Sequence, residues 1–117
     1  MAIVLYGIPN CDQVRKARAW LNDHALSSDF HDFKKAGISH SLIENWLAHV
    51  HWDVLLNKKG TTWRRLPDQR KAAITDQSSA IELMLELPSV IKRPVLSTVE
   101  SIHVGFSDPL YQQIFKK

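Results

Sequence analysis

The only sulfur nucleophile that the sequence offers is the thiol of Cys11. It is the single cysteine among 117 residues, so neither an intrachain disulfide nor a cysteine-rich zinc site can form. The thiol follows the turn segment Gly7-Ile8-Pro9-Asn10 and stands at the predicted start of a helix. Unpaired backbone N–H groups and the positive end of the helix dipole favour an anion there, and the thiolate is the reactive form of cysteine. This position therefore predicts a nucleophilic thiol.

Two charged neighbours act on this thiol in opposite directions. Arg15 lies one helical turn later and adds positive charge on the same face, whereas the carboxylate of Asp12 disfavours a second negative charge. Asn10 is a favourable residue to cap the helix. The helical spacing of Cys11 is also that of a small core residue, and this alternative stays open. Its place after a strand, where α/β folds keep their ligand sites, favours chemistry.

The six histidines of the chain do not form a convincing metal-binding pattern. His49 and His51 are two residues apart and therefore do not share a helix face. No cysteine or paired carboxylate completes a tetrahedral ligand set near them. We expect no metal site and no tightly bound cofactor.

Composition limits the classes of protein to which the chain can belong. With 44% hydrophobic and 23% charged residues, it suits one globular domain. The first apolar run, Ala2 to Tyr6, is too short for a membrane span, and the polar residues from Asn10 to Asp12 interrupt it before a signal peptide could develop. A lone thiol without a secretion signal indicates the cytoplasm. The net charge of +3 permits anionic partners without indicating nucleic acid, and we expect a monomer.

The elements that would position Cys11 follow from hydrophobic periodicity. Residues 2–6 predict a strand covered on both faces, because the run has no polar alternation. A helix follows from residue 11, with its apolar stripe on Cys11, Val14, Ala17, Leu21 and Ala25. The alternation over residues 29–33 predicts a second strand. This β-α-β order favours parallel pairing in a mixed sheet.

The middle of the chain is predicted to be helical. Capping-box spacing at Ser41 to Glu44 and at Ser79 to Glu82 predicts two helix starts, and Pro67 is expected to open a short helix to about residue 73. Residues 57–66 indicate a basic loop. Trp46, Trp52 and Trp63 are expected to pack this region, with Trp63 also able to line a cleft.

The end of the chain predicts two strands and a helix. The strands cover residues 95–99 and 102–106, and the helix has Asp108 as its N-cap and Pro109 at its first position. The predicted fold class is α/β, with the order β-α-β, a helical insertion, then β-β-α. We expect one domain with a core from residues 1–35 and 88–117 and an insertion at about 36–87.

Motifs along nearly the whole chain resemble the arsenate reductase (ArsC) and Spx family. The start of the family resembles the segment Leu5-Tyr6-Gly7-Ile8-Pro9-Asn10-Cys11-Asp12. Three later segments resemble its YffB-like branch in particular: Gly60-Thr61-Thr62-Trp63-Arg64, Ile91-Lys92-Arg93-Pro94-Val95 and Gly105-Phe106-Ser107-Asp108. The resemblance implies a thioredoxin-like fold with a helical insertion, a redox-active Cys11 and a cis Pro94 facing it. For the YffB-like branch it implies glutathione-dependent thiol or disulfide reduction.

The chain departs from the family's pattern at informative positions. Position 14 is valine, so Cys11 has no C-x-x-C partner and an external thiol must resolve its adducts. Of the three arginines that arsenate reductases of this family place around the oxyanion, Arg93 matches one. Asn57, Lys58 and Lys59 stand where another is expected, and the last, near Phe106, is missing. Because lysine lacks the bidentate fork of arginine, this weakens arsenate reduction but not binding of a glutathione carboxylate.

These observations predict a thiol-dependent oxidoreductase with Cys11 as nucleophile. Glutathione is the expected co-substrate, and glutaredoxin is a possible partner. The residues predicted to bind the anionic substrate are Asn10, Arg15, Lys58, Lys59, Arg93 and Pro94. Two alternatives stay open: an Spx-like adaptor that binds RNA polymerase, and an arsenate reductase that depends on glutathione and glutaredoxin.

Overall fold

The computed structural model describes residues 2–116. The chain begins with β1 (Val4–Gly7), α1 (Asp12–Asp23) and β2 (Asp29–Asp32), and the two strands pair in parallel. This confirms the predicted β-α-β unit, in which a helix carries the chain back to start a second strand in the same direction.

Six helices follow, most of them short. They are α2 (Phe33–Ala36), α3 (His40–Leu47), α4 (Trp52–Leu55), α5 (Thr61–Arg64), α6 (Asp68–Ala72) and α7 (Gln77–Glu86), followed by a 3₁₀ turn at Pro88–Val90. The segment predicted as a basic loop therefore contains α5, a single turn that begins after Gly60. In the part of the chain that the structure describes, no helix is long and apolar enough to cross a membrane.

The remaining strands complete a mixed sheet. β3 (Val95–Ser97) pairs antiparallel with β1, and β4 (Ile102–Val104) pairs antiparallel with β3, which gives the order β2-β1-β3-β4. The chain ends with α8 (Asp108–Phe115). A β-α-β unit followed by β-β-α around such a sheet is the thioredoxin-like α/β arrangement, so the predicted fold class is confirmed.

Contacts divide the chain into two units. The sheet unit comprises the residues up to Gly37 together with those from Arg93 onward, and the helical unit comprises Ile38 to Lys92. The core of the sheet unit is formed by Ile3, Leu5, Val14, Ala17, Trp20, Leu21, Leu96 and Tyr111. The expectation of a single folding domain stays a prediction.

All four predicted helix caps are wrong by one to three residues. The carbonyl of Cys11 is the first to accept a helical hydrogen bond in α1, from the Arg15 N–H at 2.9 Å. Cys11, and not Asn10, is therefore the N-cap. Ser39, not Ser41, caps α3, because its hydroxyl accepts the Leu42 N–H one turn earlier than predicted.

The other two caps also lie before their predicted positions. Asp76 caps α7 and forms a reciprocal capping box with Ser79, so Ser79 is the third helical residue rather than the cap. Ser107 caps α8 by accepting the Leu110 N–H at 3.1 Å. The carboxylate of Asp108, the predicted cap, instead accepts the indole N–H of Trp20 and the Gln112 amide.

Several element ends also differ from the predictions. α1 ends at Asp23, and Ala25 is exposed with a φ of 55° rather than continuing the apolar stripe. Phe33 starts α2 instead of ending β2, because the carboxylate of Asp32 caps that turn. β3 and β4 are each two residues shorter than predicted at their carboxyl ends. In β1, Leu5 is buried but Tyr6 is only half-buried, so the strand is less covered on one face than predicted.

Candidate active site

Cys11 joins the carboxyl end of β1 to the first turn of α1. Its backbone is extended, with φ −97° and ψ 130°, and its N–H faces the Ile8 carbonyl at 3.4 Å, which closes the preceding turn. The side chain packs against the core of the sheet unit but keeps an intermediate exposure. The thiol is therefore supported by the core without being sealed within it.

The environment of Cys11 lowers the pKa of its thiol. Burial acts in the opposite direction and raises the pKa, but the backbone N–H of Val14 and the side chain of Arg93 outweigh it by hydrogen bonding. The Gln13 N–H and the positive charge of Arg93 add to this effect. No side-chain capping hydrogen bond forms at Cys11, so the amides at the start of α1 act mainly on the ionised sulfur, which is the stronger acceptor. The arrangement thus favours the thiolate.

Sheet topology explains why Arg93 is close to Cys11. β1 and β3 are antiparallel, with Tyr6 opposite Val95, so the residues that follow β1 and those that precede β3 share one edge of the sheet. The Arg93–Pro94 peptide bond, which immediately precedes β3, is cis, as the resemblance implied. Pro94 is buried, and its carbonyl accepts the N–H of Gly105 at 2.8 Å.

The other predicted binding residues of the sheet unit are placed differently. Asn10 is exposed in the turn before Cys11 and is not the helix cap. Arg15 forms an ion pair with Asp12 on the exposed side of α1. The prediction that Arg15 would act on Cys11 is not matched by this arrangement, because its guanidinium is directed to the neighbouring carboxylate and Arg93 is the cation that lowers the thiol pKa.

The two predicted lysines belong to the helical unit. The Lys58 ammonium lies 2.6 Å from the Asp53 carboxylate and 5.7 Å from the centre of the Trp63 ring. This ion pair holds the pKa of Asp53 below its ordinary value. Lys59 is exposed. A role for either lysine in binding an anionic substrate stays a prediction.

Sequence reasoning expected backbone donors at this helix start but did not name Gln13 and Val14 as the residues that supply them. Their N–H groups belong to the first turn of α1, where helical amides have no carbonyl partner within the helix. Their identity follows from their positions two and three residues after Cys11, once Cys11 is known to be the N-cap. The types of their side chains do not indicate it. Among residues 2–116, no group of three or more His, Cys, Asp or Glu residues is arranged to hold a metal ion.

Comparison with known proteins identifies the family of this thiol site. The model of the ArsC family matches residues 6–114, almost the whole chain. The chain belongs to the ArsC family. A relative described as an uncharacterized protein of Haemophilus influenzae is 38% identical over 113 residues, which are 97% of this chain and 98% of the relative.

Solved structures and more distant sequences agree with this assignment. A structure described as the YFFB protein has a TM-score of 0.89 and 46% identity, and the match covers 95% of this chain and 96% of that one. An arsenate reductase (ArsC) related protein from Brucella melitensis has a TM-score of 0.79 and 44% identity, with 100% and 97% coverage. The global transcriptional regulator Spx of Streptococcus agalactiae is 25% identical over 91% of this chain and 77% of its own length. This chain is thus similar both to a protein described as arsenate reductase related and to one named as a transcriptional regulator.

Proposed function

We propose that this chain is a thiol-dependent reductase in which Cys11 is the nucleophile and glutathione is the reducing co-substrate. One observation carries the proposal: a partly exposed thiol has its pKa lowered, against the effect of burial, by the Val14 N–H and Arg93. A lower pKa raises the fraction of thiolate at neutral pH, and the thiolate is the attacking species.

The reaction consists of two thiol–disulfide exchanges. The Cys11 thiolate attacks one sulfur of an oxidised substrate, forms a mixed disulfide and releases the other sulfur as a thiolate. A glutathione thiolate then attacks the substrate sulfur of the mixed disulfide, forms a new disulfide with the half of the substrate that was bound to Cys11, and releases the Cys11 thiolate. Each exchange forms one S–S bond and breaks one. An external thiol is needed because the chain has no second cysteine.

Arg93 and Pro94 are proposed to form the substrate side of this site. The Arg93 guanidinium acts on the Cys11 sulfur, so it is placed to attract a carboxylate of glutathione as well. Asn10, exposed just before Cys11, is proposed to contact the bound thiol compound.

Intact-mass spectrometry after exposure to oxidised glutathione tests this proposal. We expect one glutathione added to the wild-type chain, removal of the adduct by reduced glutathione, and no adduct on Cys11→Ser. The pH dependence of alkylation by iodoacetamide supplies the second measurement, with a midpoint expected below that of free cysteine. Failure to form the adduct, or a midpoint at or above the free value, would exclude a catalytic thiol.

Arsenate reduction is a second candidate activity. It is favoured by the 44% identical Brucella structure described as arsenate reductase (ArsC) related, and opposed by the single matching arginine, Arg93. Purified protein supplied with arsenate, glutathione and glutaredoxin should give turnover if this activity exists. Absence of turnover, together with a Cys11 glutathione adduct, would leave disulfide reduction as the activity.

A regulatory role is a third candidate because the Spx relatives are named as transcriptional regulators. In this case the chain would act as a docking protein for RNA polymerase, and Cys11 would be dispensable. Co-purification with polymerase that persists in Cys11→Ser would support this role. Loss of the cellular phenotype in Cys11→Ser, without any polymerase in the purified material, would support the reductase.

A further inference from the structure

The Val14 side chain fills the space beside Gly7, on the two elements that Cys11 joins. Gly7 is the buried last residue of β1, and Val14 is fully buried in the first turn of α1. A Cβ atom built on Gly7 would lie 2.7 Å from Val14 Cγ2 and 3.6 Å from Val14 Cγ1. The valine methyl therefore occupies the space that any other residue at position 7 would need.

Glycine is required at position 7 for space rather than for backbone conformation. Gly37 and Gly105 have positive φ angles of 77° and 85°, whereas Gly7 lies within a strand and has no positive φ. An alanine could therefore adopt its backbone angles without strain. The obstacle to an alanine at position 7 is therefore the clash with Val14, whose β-branched side chain is stiff and 0% exposed. Neither residue can move easily in a close-packed interior.

The contact fixes a backbone group that acts on the thiol. Val14 contributes the N–H that does most to offset the burial of Cys11. Hydrogen bonds weaken steeply as distance and angle depart from the optimum, so a displacement of a few tenths of an ångström at Val14 changes this interaction. The packing of the Val14 side chain and the position of its N–H are thus properties of one residue, two helical positions after the sulfur's neighbour Asp12.

We propose that the contact of Gly7 with Val14 positions the Val14 N–H against Cys11, so that both are positioning residues for the nucleophile. This inference rests on the proposed reductase function. It also gives a physical reason for valine at the position where a C-x-x-C motif would have its second cysteine. The valine supports the thiolate by packing, while resolution of the adduct is left to an external thiol.

A size-complementary pair of variants tests this proposal. Gly7→Ala adds the clashing methyl group, Val14→Ala removes both γ-methyl groups, and the double variant restores ordinary contact, because Val14 Cβ lies 3.7 Å from the added Cβ. Each folded single variant should react with iodoacetamide at neutral pH at least about threefold more slowly, with its pH profile displaced upward. The double variant should recover to within about twofold of wild type.

Gly60→Ala is the matched control. Its added Cβ would lie 2.7 Å from Asn57 Nδ2, the same separation in the helical unit but from the movable end of a side chain, and should leave the pH profile of Cys11 unchanged. Thermal unfolding identifies which variants are folded; if Gly7→Ala does not fold, Val14→Ala and the double variant carry the test. Folded single variants with the wild-type profile, or a double variant slower than either, overturn the positioning role.

A separate measurement, the titration of the wild-type thiol, tests the proposed function. If the wild-type thiol itself titrates like free cysteine, the reductase proposal is overturned. If the wild-type thiol titrates below that value and the variants behave identically to it, only the positioning role is overturned.

Discussion

The sheet unit and the helical unit use their charged residues differently. In the sheet unit, Arg93 acts on the sulfur of Cys11, which has no negative charge until it ionises. In the helical unit, Lys58 is paired with Asp53 and Arg70 with Glu86, each at 2.6 to 2.8 Å on the exposed surface. A cation matched to a carboxylate contributes to structure, whereas a cation beside a weak acid changes the reactivity of that acid. The position of Arg93 beside the thiol supports the proposal that the chemistry takes place in the sheet unit.

Ile43→Ala should separate stability from chemistry most clearly. Ile43 is 0% exposed in α3, so removing its side chain leaves a cavity and should cost about 2–5 kcal/mol of unfolding free energy. Urea unfolding measures this loss. Under conditions where the variant is folded, the pH profile of Cys11 alkylation should match that of wild type; a displaced profile would contradict the separation of the two units.

Arg93→Gln should change the reactivity of Cys11, the property that Ile43→Ala should leave unchanged. Removing the guanidinium takes away both a hydrogen bond and a positive charge at the sulfur, so alkylation of Cys11 at neutral pH should slow roughly tenfold. Its pH profile should move upward. Arg15→Gln is the matched control, because Arg15 pairs with Asp12, and it should retain the wild-type profile. Equal effects of the two changes would show that general charge, not the position of Arg93, acts on the thiol.

Ser39→Ala tests the capping of the helical unit. The Ser39 hydroxyl accepts the Leu42 N–H at 3.2 Å, and loss of such a cap costs about 1 kcal/mol. Ser41→Ala, at the cap expected from the sequence, should leave the unfolding free energy nearly unchanged. The two variants are compared by urea unfolding, and a larger loss in Ser41→Ala would restore the sequence-based assignment.

The smallest expected effect is a pH dependence of stability. Because the pKa of Cys11 is lower in the folded chain than its ordinary value of 9.0, the unfolded chain binds more protons between the two values. Stability therefore rises with pH through this window, is fully present above the unfolded pKa, and is lost as pH falls through the folded pKa. The difference in unfolding free energy between wild type and Cys11→Ser should rise accordingly; a difference that is constant with pH would contradict a lowered pKa.

The two units also differ in how much of their structure the sequence predicts. The strands of the sheet unit follow from apolar runs bounded by turns, because a central strand such as β1 must be apolar to be buried. The helical unit contains one-turn helices such as α4 and α5, which are too short for periodicity to detect. Capping-box spacing placed the starts of α3 and α7 too late, because Ser39 and Asp76 compete with the serines that follow them.

In the candidate site, the thiol and the presence of backbone donors at the helix start were predictable, but not which amide acts most on the sulfur. Cys11 could be selected because it is the only thiol and follows a strand. The proximity of Arg93 was available only through the family resemblance, since Arg93 lies 82 positions after Cys11 and no local pattern connects the two. The role of the Val14 N–H depends on the distance between two packed elements, which no residue type encodes.

The indole of Trp20 gives the sheet unit a built-in optical reporter. It lies on α1 with Cys11, stacks on His24 with ring centres 3.8 Å apart, and donates its N–H to Asp108 at the first turn of α8. Loosening of α8 would break that bond and expose the ring to water, which shifts tryptophan emission to longer wavelength. Subtracting the emission spectrum of Trp20→Phe from that of wild type gives the emission of Trp20 alone. This difference spectrum would report whether α8 stays attached to α1, without any added label.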